Sequence, residues 1–247
     1  MRPFLLISVR PEVEAVGPEY TSFQRATGLD AGRLEHLRLD VDALGDTDLS
    51  RYAGVLVGGS PFNVSTRESG KHPVQRRVEA DLARLAEHGV GTDSAVLFTC
   101  YGIGVLTRVL GGEVGVEHGE EAAAVELTLT ASGREDPLTR GLPPRFDALA
   151  AHKESTSRLP GGAVLLAESA ACPVQLYRAG ARVYATQFHP EVTPADFVAR
   201  ARIYRHHGYF PASELVAVSE RLAGASVTEP ARMLRRFVEL ADAEPAA

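Results

Sequence analysis

The 247-residue chain has no tryptophan and only two cysteines, Cys100 and Cys172. Two cysteines are too few for the disulfide framework that holds many small secreted domains together. The sequence also lacks an apolar run of about 18 residues, the length that predicts a transmembrane helix. Its N-terminus has neither the length nor the small-residue cleavage site of a signal peptide. We therefore expect a cytoplasmic protein with reduced thiols and no membrane partner.

Positive charge comes almost entirely from arginine, because Lys71 and Lys153 are the only two lysines. The formal net charge of -6 argues against nucleic acid as a partner, since phosphate binding needs a surplus of cations. With 45% hydrophobic and 23% charged residues, the composition is ordinary for a globular protein with a substantial core.

Up to residue 110, short apolar runs alternate with helical patterns. The run at 54–57 is continuously apolar, which is typical of a strand buried in a parallel sheet. Gly89 and Gly91 are expected to end the second helix. The order of elements predicts an α/β fold with a mostly parallel sheet flanked by helices. The predicted strands are 4–9, 34–39, 54–57 and 94–99, and the predicted helices are 20–26, 72–88 and 103–110.

After residue 112 the pattern changes to closely spaced strands followed by helices. Turns at 161–162 and 179–180 predict that these appended strands are partly antiparallel. Thr228 is expected to cap the last helix, with Pro230 in its first turn. The predicted strands are 123–130, 146–150, 163–167, 174–177 and 182–188, and the predicted helices are 194–207, 212–222 and 229–241.

Cys100 lies at the sharp turn between an apolar strand and a helix. Gly102 permits such a turn, and a residue there projects from the edge of the sheet. The unpaired N–H groups and the dipole of the following helix are expected to favour a thiolate. A cysteine in this position is otherwise a buried filler, so a catalytic role requires partners elsewhere in the chain.

Those partners are available in the segment Gln187-Phe188-His189-Pro190-Glu191. A strand delivers His189 at its end, and Glu191 is close enough in sequence to fold back onto the imidazole. A nucleophilic cysteine needs a base, and the base needs a group that fixes its tautomer and orientation. His189 and Glu191 can supply both functions, although a histidine beside a proline is by itself an ordinary loop residue.

Gly58 and Gly59 follow the third predicted strand. Glycines at the carboxyl end of a parallel strand let the backbone approach a ligand closely. The N–H groups of Gly59 and Tyr101 could then stabilise an oxyanion. The alternative is an ordinary turn between strand and loop.

These three segments, Val57 to Pro61, Cys100 to Gly102 and Gln187 to Glu191, occur in an order and spacing that resembles the class I (triad) glutamine amidotransferases. Over roughly residues 4–205, the chain is most similar to stand-alone proteins related to the glutaminase domain of GMP synthase. The resemblance implies a flavodoxin-like sheet, without metal or other cofactor, that hydrolyses a γ-glutamyl amide through a thioester. It also implies an amidotransferase-like domain over 1–210 and a helical extension over 211–247 packed on it.

The resemblance assigns roles to individual residues. Cys100 is implied as the nucleophile, His189 as the base and then acid, and Glu191 as the orienting carboxylate. Gly59 and Tyr101, with the adjacent Gly58, are implied to form the oxyanion hole and substrate site. His152, in the segment 151–154, is expected near the substrate entrance, with a solvated loop as the alternative. Cys172 is expected to be structural.

Two positions depart from the family pattern. Phe98 stands where the family has a glycine, and would crowd the turn unless a neighbour is small. Gly104 stands where the family has a glutamine that helps to hold the substrate. These changes favour either a different γ-glutamyl substrate or a degraded site.

Three functions therefore remain open. The first is hydrolysis of glutamine with ammonia passed to a synthetase in a separate chain, because this chain has no P-loop and no residues left for such a domain. The second is a γ-glutamyl peptide hydrolase that needs no partner. The third is a non-catalytic binding protein on the same fold. The helices after Pro211 could cover the core, form a homodimer contact or dock the acceptor enzyme.

Overall fold

The computed structural model describes residues 1–243. Strands and helices alternate in the N-terminal half of the chain, whereas most elements of the C-terminal half are consecutive strands followed by consecutive helices. The strands are β1 Phe4–Ser8, β2 Leu34–Arg38, β3 Gly54–Val57, β4 Ala95–Thr99, β5 Glu113–Gly115, β6 Glu120–Leu129, β7 Arg145–His152, β8 Ser155–Arg158, β9 Val164–Glu168, β10 Leu176–Ala179 and β11 Val183–Thr186. The α-helices are α1 Val13–Thr27, α2 Pro73–Thr92, α3 Tyr101–Val109, α4 Ala131–Glu135, α5 Pro194–Ile203, α6 Leu215–Ala223 and α7 Glu229–Asp242. Short 3-10 helices span Leu49–Arg51, Glu68–Gly70 and Ala212–Glu214.

One large sheet has the strand order β2-β1-β3-β4-β11-β10-β9-β6-β7. The first five strands in this order are parallel, and the remaining neighbours pair antiparallel. Taken in chain order, the parallel strands follow the 2-1-3-4-5 arrangement of flavodoxin-like sheets. Strands β5 and β8 form a separate antiparallel pair. The predicted α/β fold with appended antiparallel strands is confirmed.

Alternate residues of the parallel strands supply two apolar layers. Leu6 and Leu97 face the layer that contains α1 and α7, whereas Ile7 and Val96 face the layer that contains α2 and α3. Both faces are apolar because helices cover both, as expected for parallel strands. A smaller cluster packs α5 and α6 against β6 and β7. Within residues 1–243, no helix combines the length and apolarity that crossing a bilayer requires.

Two helices are longer than predicted. Helix α1 begins seven residues earlier than residue 20 and contains Pro18. Helix α2 continues through Gly89 to Thr92, and its C-cap Asp93 adopts a left-handed conformation with φ of 54°. A Cβ at Gly89 would lie 3.0 Å from both Val96 and Val183, so this glycine allows the helix to approach the sheet. The prediction that the glycines end the helix is therefore wrong.

Other local predictions also need correction. Strands β5 and β8 and the short helix α4 were not predicted because each is too short for a periodic pattern. The Thr228 hydroxyl donates to the Glu229 carboxylate at 2.7 Å and makes no capping hydrogen bond to the helix backbone. Thr228 nevertheless occupies the N-cap position and Pro230 lies in the first turn, as predicted.

Helix α7 packs against the main core. Its buried side chains share one apolar cluster with Phe4 of β1 and Phe23 of α1. The ring of Phe237 meets Tyr184 of β11 edge to face, with centroids 6.4 Å apart. The division of the chain at residue 210 stays a prediction, and residues 244–247 of the predicted extension lie outside the described residues.

Replacing Phe237 by alanine should destabilise the fold by about 3–5 kcal/mol, because a fully buried ring would leave a cavity against the sheet. Urea unfolding followed by circular dichroism measures this loss. Arg235→Ala, on the exposed side of the same helix, is the matched control and should change stability by less than about 0.5 kcal/mol. Equal stability of the two variants would show that α7 does not support the core.

Candidate active site

The carboxyl ends of four neighbouring parallel strands converge on one edge of the sheet. Arg10 follows β1, Gly59 follows β3, Cys100 follows β4 and His189 follows β11. Connections leave β1 and β3 in opposite directions across the sheet, which is where flavodoxin-like folds open a crevice. The topology alone therefore brings residues far apart in sequence into one site.

Cys100 occupies a strained turn between β4 and α3. Its φ of 51° and ψ of -102° lie in a region that non-glycine residues rarely adopt. The backbone N–H of Cys100 donates to the carbonyl of Thr186 in β11 at 2.8 Å, which helps to hold the turn. Phe98 is fully buried, and a Cβ at Gly102 would lie only 3.0 Å from the Cβ of Phe98. Gly102 is thus the small neighbour that accommodates Phe98.

His189 and Glu191 form a buried pair. Nδ1 of His189 lies 3.0 Å from Oε1 of Glu191, and Arg200 of α5 donates from Nη1 to the same carboxylate oxygen at 2.8 Å. Arg200 Nη1 also lies 3.0 Å from Nδ1 of His189, so the three groups form a compact triangle. We assign the Nδ1 proton to the bond with Glu191, which leaves Nε2 of His189 as the free acceptor.

Burial and charge set the protonation of this pair. Burial alone would raise the pKa of Glu191, but the charges and hydrogen bonds of His189 and Arg200 more than offset it and hold the pKa well below its usual range. Burial lowers the pKa of His189, with Glu191 opposing that shift. An ionised Glu191 and a neutral His189 are the states that a general base requires at neutral pH.

Cys100 is a thiol rather than a thiolate in this arrangement. Burial raises its pKa to about 12, while the positive charge of Arg10 opposes the shift. The raised pKa runs against the expectation of a thiolate, because burial removes the solvation that the charged form needs. Sγ lies 4.0 Å from the carbonyl oxygen of Ala151, the one hydrogen-bond acceptor it reaches within the described chain.

The two glycines after β3 have different environments. The N–H of Gly58 donates to the carbonyl of Ile7 at 2.9 Å, and a Cβ there would collide with the carboxylate of Glu19. The N–H of Gly59 has no acceptor among residues 1–243. A Cβ at Gly59 would lie 2.8 Å from Cε1 of His189 and 3.3 Å from Cβ of Cys100. Gly59 thus lies beside Cys100 and has a free N–H, whereas the N–H of Gly58 is already bound.

Tyr101 is the first residue of α3. The first N–H groups of a helix have no acceptor within it, so this backbone group is available beside Cys100. The oxyanion-hole roles of Gly58, Gly59 and Tyr101 stay predictions.

His152 ends β7 and is buried, so the alternative of a solvated loop is wrong. Its Nε2 lies 2.8 Å from Oε2 of Glu120, and its Nδ1 lies 3.0 Å from the carbonyl oxygen of Glu154. Both ring nitrogens are engaged by the protein, although the side chain lines a cavity beside Cys100. Contact with substrate therefore stays a prediction.

Gly104 does not leave open space. A Cβ at this position would lie 3.1 Å from Val64 and 3.7 Å from Oε1 of Glu154. The carboxylate of Glu154 accepts the N–H groups of Val64 and Ser65 at 2.6 and 2.8 Å. The segment after β3 thus fills the place next to Gly104.

Cys172 lies away from this site. Its Sγ donates to the carbonyl of Val174 at 3.5 Å, and its sulfur belongs to a cluster of potential metal ligands with Glu120 and His152. The Glu120 carboxylate already accepts hydrogen bonds from His152 and from Gln175, the latter at 2.7 Å. The protein's own groups therefore satisfy the cluster without an ion.

The segment 204–210, here called the roof, lines one side of the site. Two cavities, a larger and a smaller one, meet at Cys100, and Tyr209 of the roof lines both. Lys153 holds the roof, since its Nζ donates to the carbonyl of His207 at 3.0 Å and lies 5.0 Å from the ring centre of Tyr209.

Sequence reasoning missed two arginines in the site, Arg10 and Arg200. Both line the larger cavity with Cys100 and His189. Arg200 lies on a helix that no motif marks. Arg10 could have been found, because it follows β1 at the same sheet edge as the recognised glycines and cysteine.

Comparison with known proteins agrees with this geometry. The sequence pattern of the family described as glutamine amidotransferase class-I matches residues 25–201. The chain is 34% identical over 157 residues to the GMP synthase (glutamine-hydrolyzing) of Aeropyrum pernix, covering 64% of this chain and 27% of that protein. It is 37% identical over 98 residues to a glutamine-hydrolyzing GMP synthase subunit of Methanothermobacter thermautotrophicus, covering 39% of this chain and 51% of that relative.

The chain thus spans between about a quarter and a half of the length of these curated relatives. The crystal structure of a glutamine amidotransferase from Thermotoga maritima has the same fold, with a TM-score of 0.72 and 18% identity. That likeness covers 98% of both chains.

Because burial keeps Cys100 protonated, its alkylation by iodoacetamide should be slow at about pH 7. The rate should rise about tenfold per pH unit up to about pH 10, since the thiolate fraction grows tenfold per unit below the pKa. The measurement follows mass in a Cys172→Ser background, with Cys100→Ser as the control for labelling elsewhere. A rate that levels off below about pH 8 would contradict the raised pKa of Cys100.

Proposed function

This chain belongs to the glutamine amidotransferase class-I family, and from that membership we propose that it releases ammonia from the side-chain amide of glutamine. One observation carries the proposal. Cys100 and the His189–Glu191 pair stand after the ends of the adjacent strands β4 and β11, and Gly59, whose N–H has no acceptor among the described residues, lies beside Cys100 and His189. A nucleophile, a base, an orienting carboxylate and an oxyanion donor are the parts that amide hydrolysis by a cysteine needs.

In the first half of the reaction, Sγ of Cys100 attacks the amide carbon of the substrate. The thiol proton passes to Nε2 of His189, and Glu191 stabilises the imidazolium that forms. The carbonyl oxygen becomes an oxyanion that accepts hydrogen bonds from the N–H groups of Gly59 and Tyr101. Because the resting cysteine is a thiol, proton transfer to His189 accompanies the attack.

In the second half, the carbon–nitrogen bond breaks and His189 returns the proton to the leaving nitrogen. Ammonia departs and a γ-glutamyl thioester remains on Cys100. Water, deprotonated by His189, then attacks the thioester carbon and releases glutamate and the thiol. Glutamine and water are thus converted to glutamate and ammonia.

The ammonia acceptor is proposed to be a synthetase in a separate chain. Two kinds of relative support this, one named GMP synthase and longer than this chain, the other named as one subunit of such an enzyme.

A second candidate is hydrolysis of a γ-glutamyl amide with an apolar leaving group. The larger cavity beside Cys100 supports it, because most of its walls are apolar or aromatic. Gly104 no longer supports it, because Val64 fills the adjacent space. The apolar and aromatic walls are Ala122, Ala151, Phe197, Ala201, Tyr204, Tyr209 and Phe210, and the polar walls are Arg10, Ser60, Cys100, His189 and Arg200.

The purified chain should release ammonia from glutamine, and Cys100→Ser should abolish that release. Glu191→Gln should lower kcat by about 10³- to 10⁴-fold, because the amide no longer stabilises the imidazolium of His189. Cys172→Ser, which removes the other cysteine, should retain wild-type activity and serves as the matched control. Equal ammonia release by wild type and Cys100→Ser would refute the proposal.

The two candidate substrates separate in a direct competition. If glutamine is the substrate, kcat/KM for glutamine should exceed that for γ-glutamyl-phenylalanine by at least about tenfold, which corresponds to about 1.4 kcal/mol of transition-state binding. The reverse order would select the apolar-amide hydrolase. A glutamine-like diazoketone, which alkylates a reactive cysteine, tests the non-catalytic alternative. If the reagent does not label Cys100 and the chain turns over neither substrate, the binding protein is the function that is left.

A further inference from the structure

Arg10 is a buried cation with one unused donor. Its Nε donates to Oε1 of Glu19 at 2.6 Å, and its Nη1 donates to the hydroxyl of Tyr204 at 3.0 Å. Its Nη2 is buried and has no hydrogen-bond partner among the described residues. The arginine side chain is 3% exposed and that of Glu19 is fully buried. An unused donor on a buried guanidinium is costly, so its presence calls for a functional explanation.

Arg10 stays positively charged despite its burial. Burial opposes it, but Glu19 and Tyr204 more than offset that effect and keep the pKa of the guanidinium above its ordinary value. Glu19 is itself held by the hydroxyl of Ser8, which donates to Oε2 at 2.7 Å. The ion pair is thus fixed from α1 and β1 and cannot swing away from the site.

The unused donor faces the nucleophile. Nη2 of Arg10 lies 3.2 Å from the point that a Cβ on Gly59 would occupy, and Cβ of Cys100 lies 3.3 Å from that same point. Arg10 also lines the larger cavity together with Cys100 and His189. The absence of a side chain at Gly59 is what lets the guanidinium approach.

Several other charges face Cys100. Glu191, just before α5, and Arg200, within α5, carry opposite charges and are joined by a 2.8 Å hydrogen bond. Glu154 faces it from the segment after β7, and His189 from the end of β11. Arg200 uses Nη1 on Glu191 and His189, whereas Nη2 of Arg10 is the one fully buried guanidinium nitrogen without a partner among the described residues that line these cavities.

We propose that the Nη2 donor of Arg10 stabilises the negative charge that develops at Cys100 Sγ and at the adjacent oxyanion. The inference rests on the proposed cysteine chemistry and adds a catalytic residue to it. The thiol proton still passes to His189. Arg10 stabilises the negative charge that remains on the sulfur and does not itself exchange a proton. Glu19 acts as the positioning residue that holds the guanidinium in place.

The test measures the pH dependence of Cys100 alkylation by iodoacetamide in the full chain with Cys172→Ser. Arg10→Gln combined with Glu19→Gln removes both charges and avoids a lone buried carboxylate. At a fixed pH between about 7 and 9, this double variant should alkylate about tenfold more slowly, since removing the nearer positive charge raises the pKa of Cys100. Glu19→Gln alone should alkylate faster than the parent, and Arg10→Lys should stay within about threefold of it.

Two controls separate charge from access and folding. Tyr204→Phe removes the Arg10 hydrogen bond to the roof but keeps the charge, so any change of rate that it causes measures access and should be the same factor at every pH. Arg178→Gln combined with Asp136→Asn removes an arginine–carboxylate pair, joined at 2.7 Å, that lines neither cavity and should have no effect. Thermal melting of each variant verifies the fold.

The proposal is overturned if the folded double variant alkylates at the parent rate. It is equally overturned if Arg10→Lys and the double variant slow by the same factor, because that result indicates a structural role. Should the double variant not fold, a Glu19→Gln variant that alkylates no faster than the parent overturns it. Glutamine turnover is not part of this readout, so a chain with the expected alkylation profile but no ammonia release refutes the proposed function alone.

Discussion

The parallel pairing of β4 between β3 and β11 is the constraint on which the site depends. Val57 pairs with Phe98 and Thr186 pairs with Thr99, so the three strands end at nearly the same level. A shift of two residues in either register would move Gly59 or His189 about 7 Å along the sheet, out of reach of Cys100. Backbone hydrogen bonds in the buried core therefore fix distances between groups that are almost ninety residues apart in sequence.

Charge pairing explains how so many ionisable groups survive burial at this edge. Glu191 and Arg200 form one compensated pair beside His189, and Arg10 and Glu19 form another beneath Gly58. Each carboxylate is supported by at least one further hydrogen-bond donor. An unpaired charge at this depth would cost far more than the fold can supply, so the pairs are a condition for placing cations near the thiol.

The sequence predicted the sheet well because buried parallel strands leave continuous apolar runs and their ends leave glycine, cysteine and histidine motifs. Prediction from the sequence failed where tertiary packing overrides a residue's local conformational preference. Pro18 and Gly89 are helix breakers by propensity, yet both lie inside helices that packing stabilises. Arg10 carried no motif, and its importance depends on a pairing with Glu19 that no local pattern reveals. His152 lines a cavity with Cys100, but its partner Glu120, which no local pattern marks, lies 32 residues away.

The backbone conformation at Cys100 affects which residues could replace this cysteine without loss of stability. A left-handed φ of 51° with ψ of -102° suits glycine, so glycine at this position would relieve strain and make the folded chain more stable. Selection for stability alone would favour glycine and lose the sulfur. A cysteine at a position where the main chain favours glycine costs stability, and the proposed chemistry of its sulfur would account for that cost.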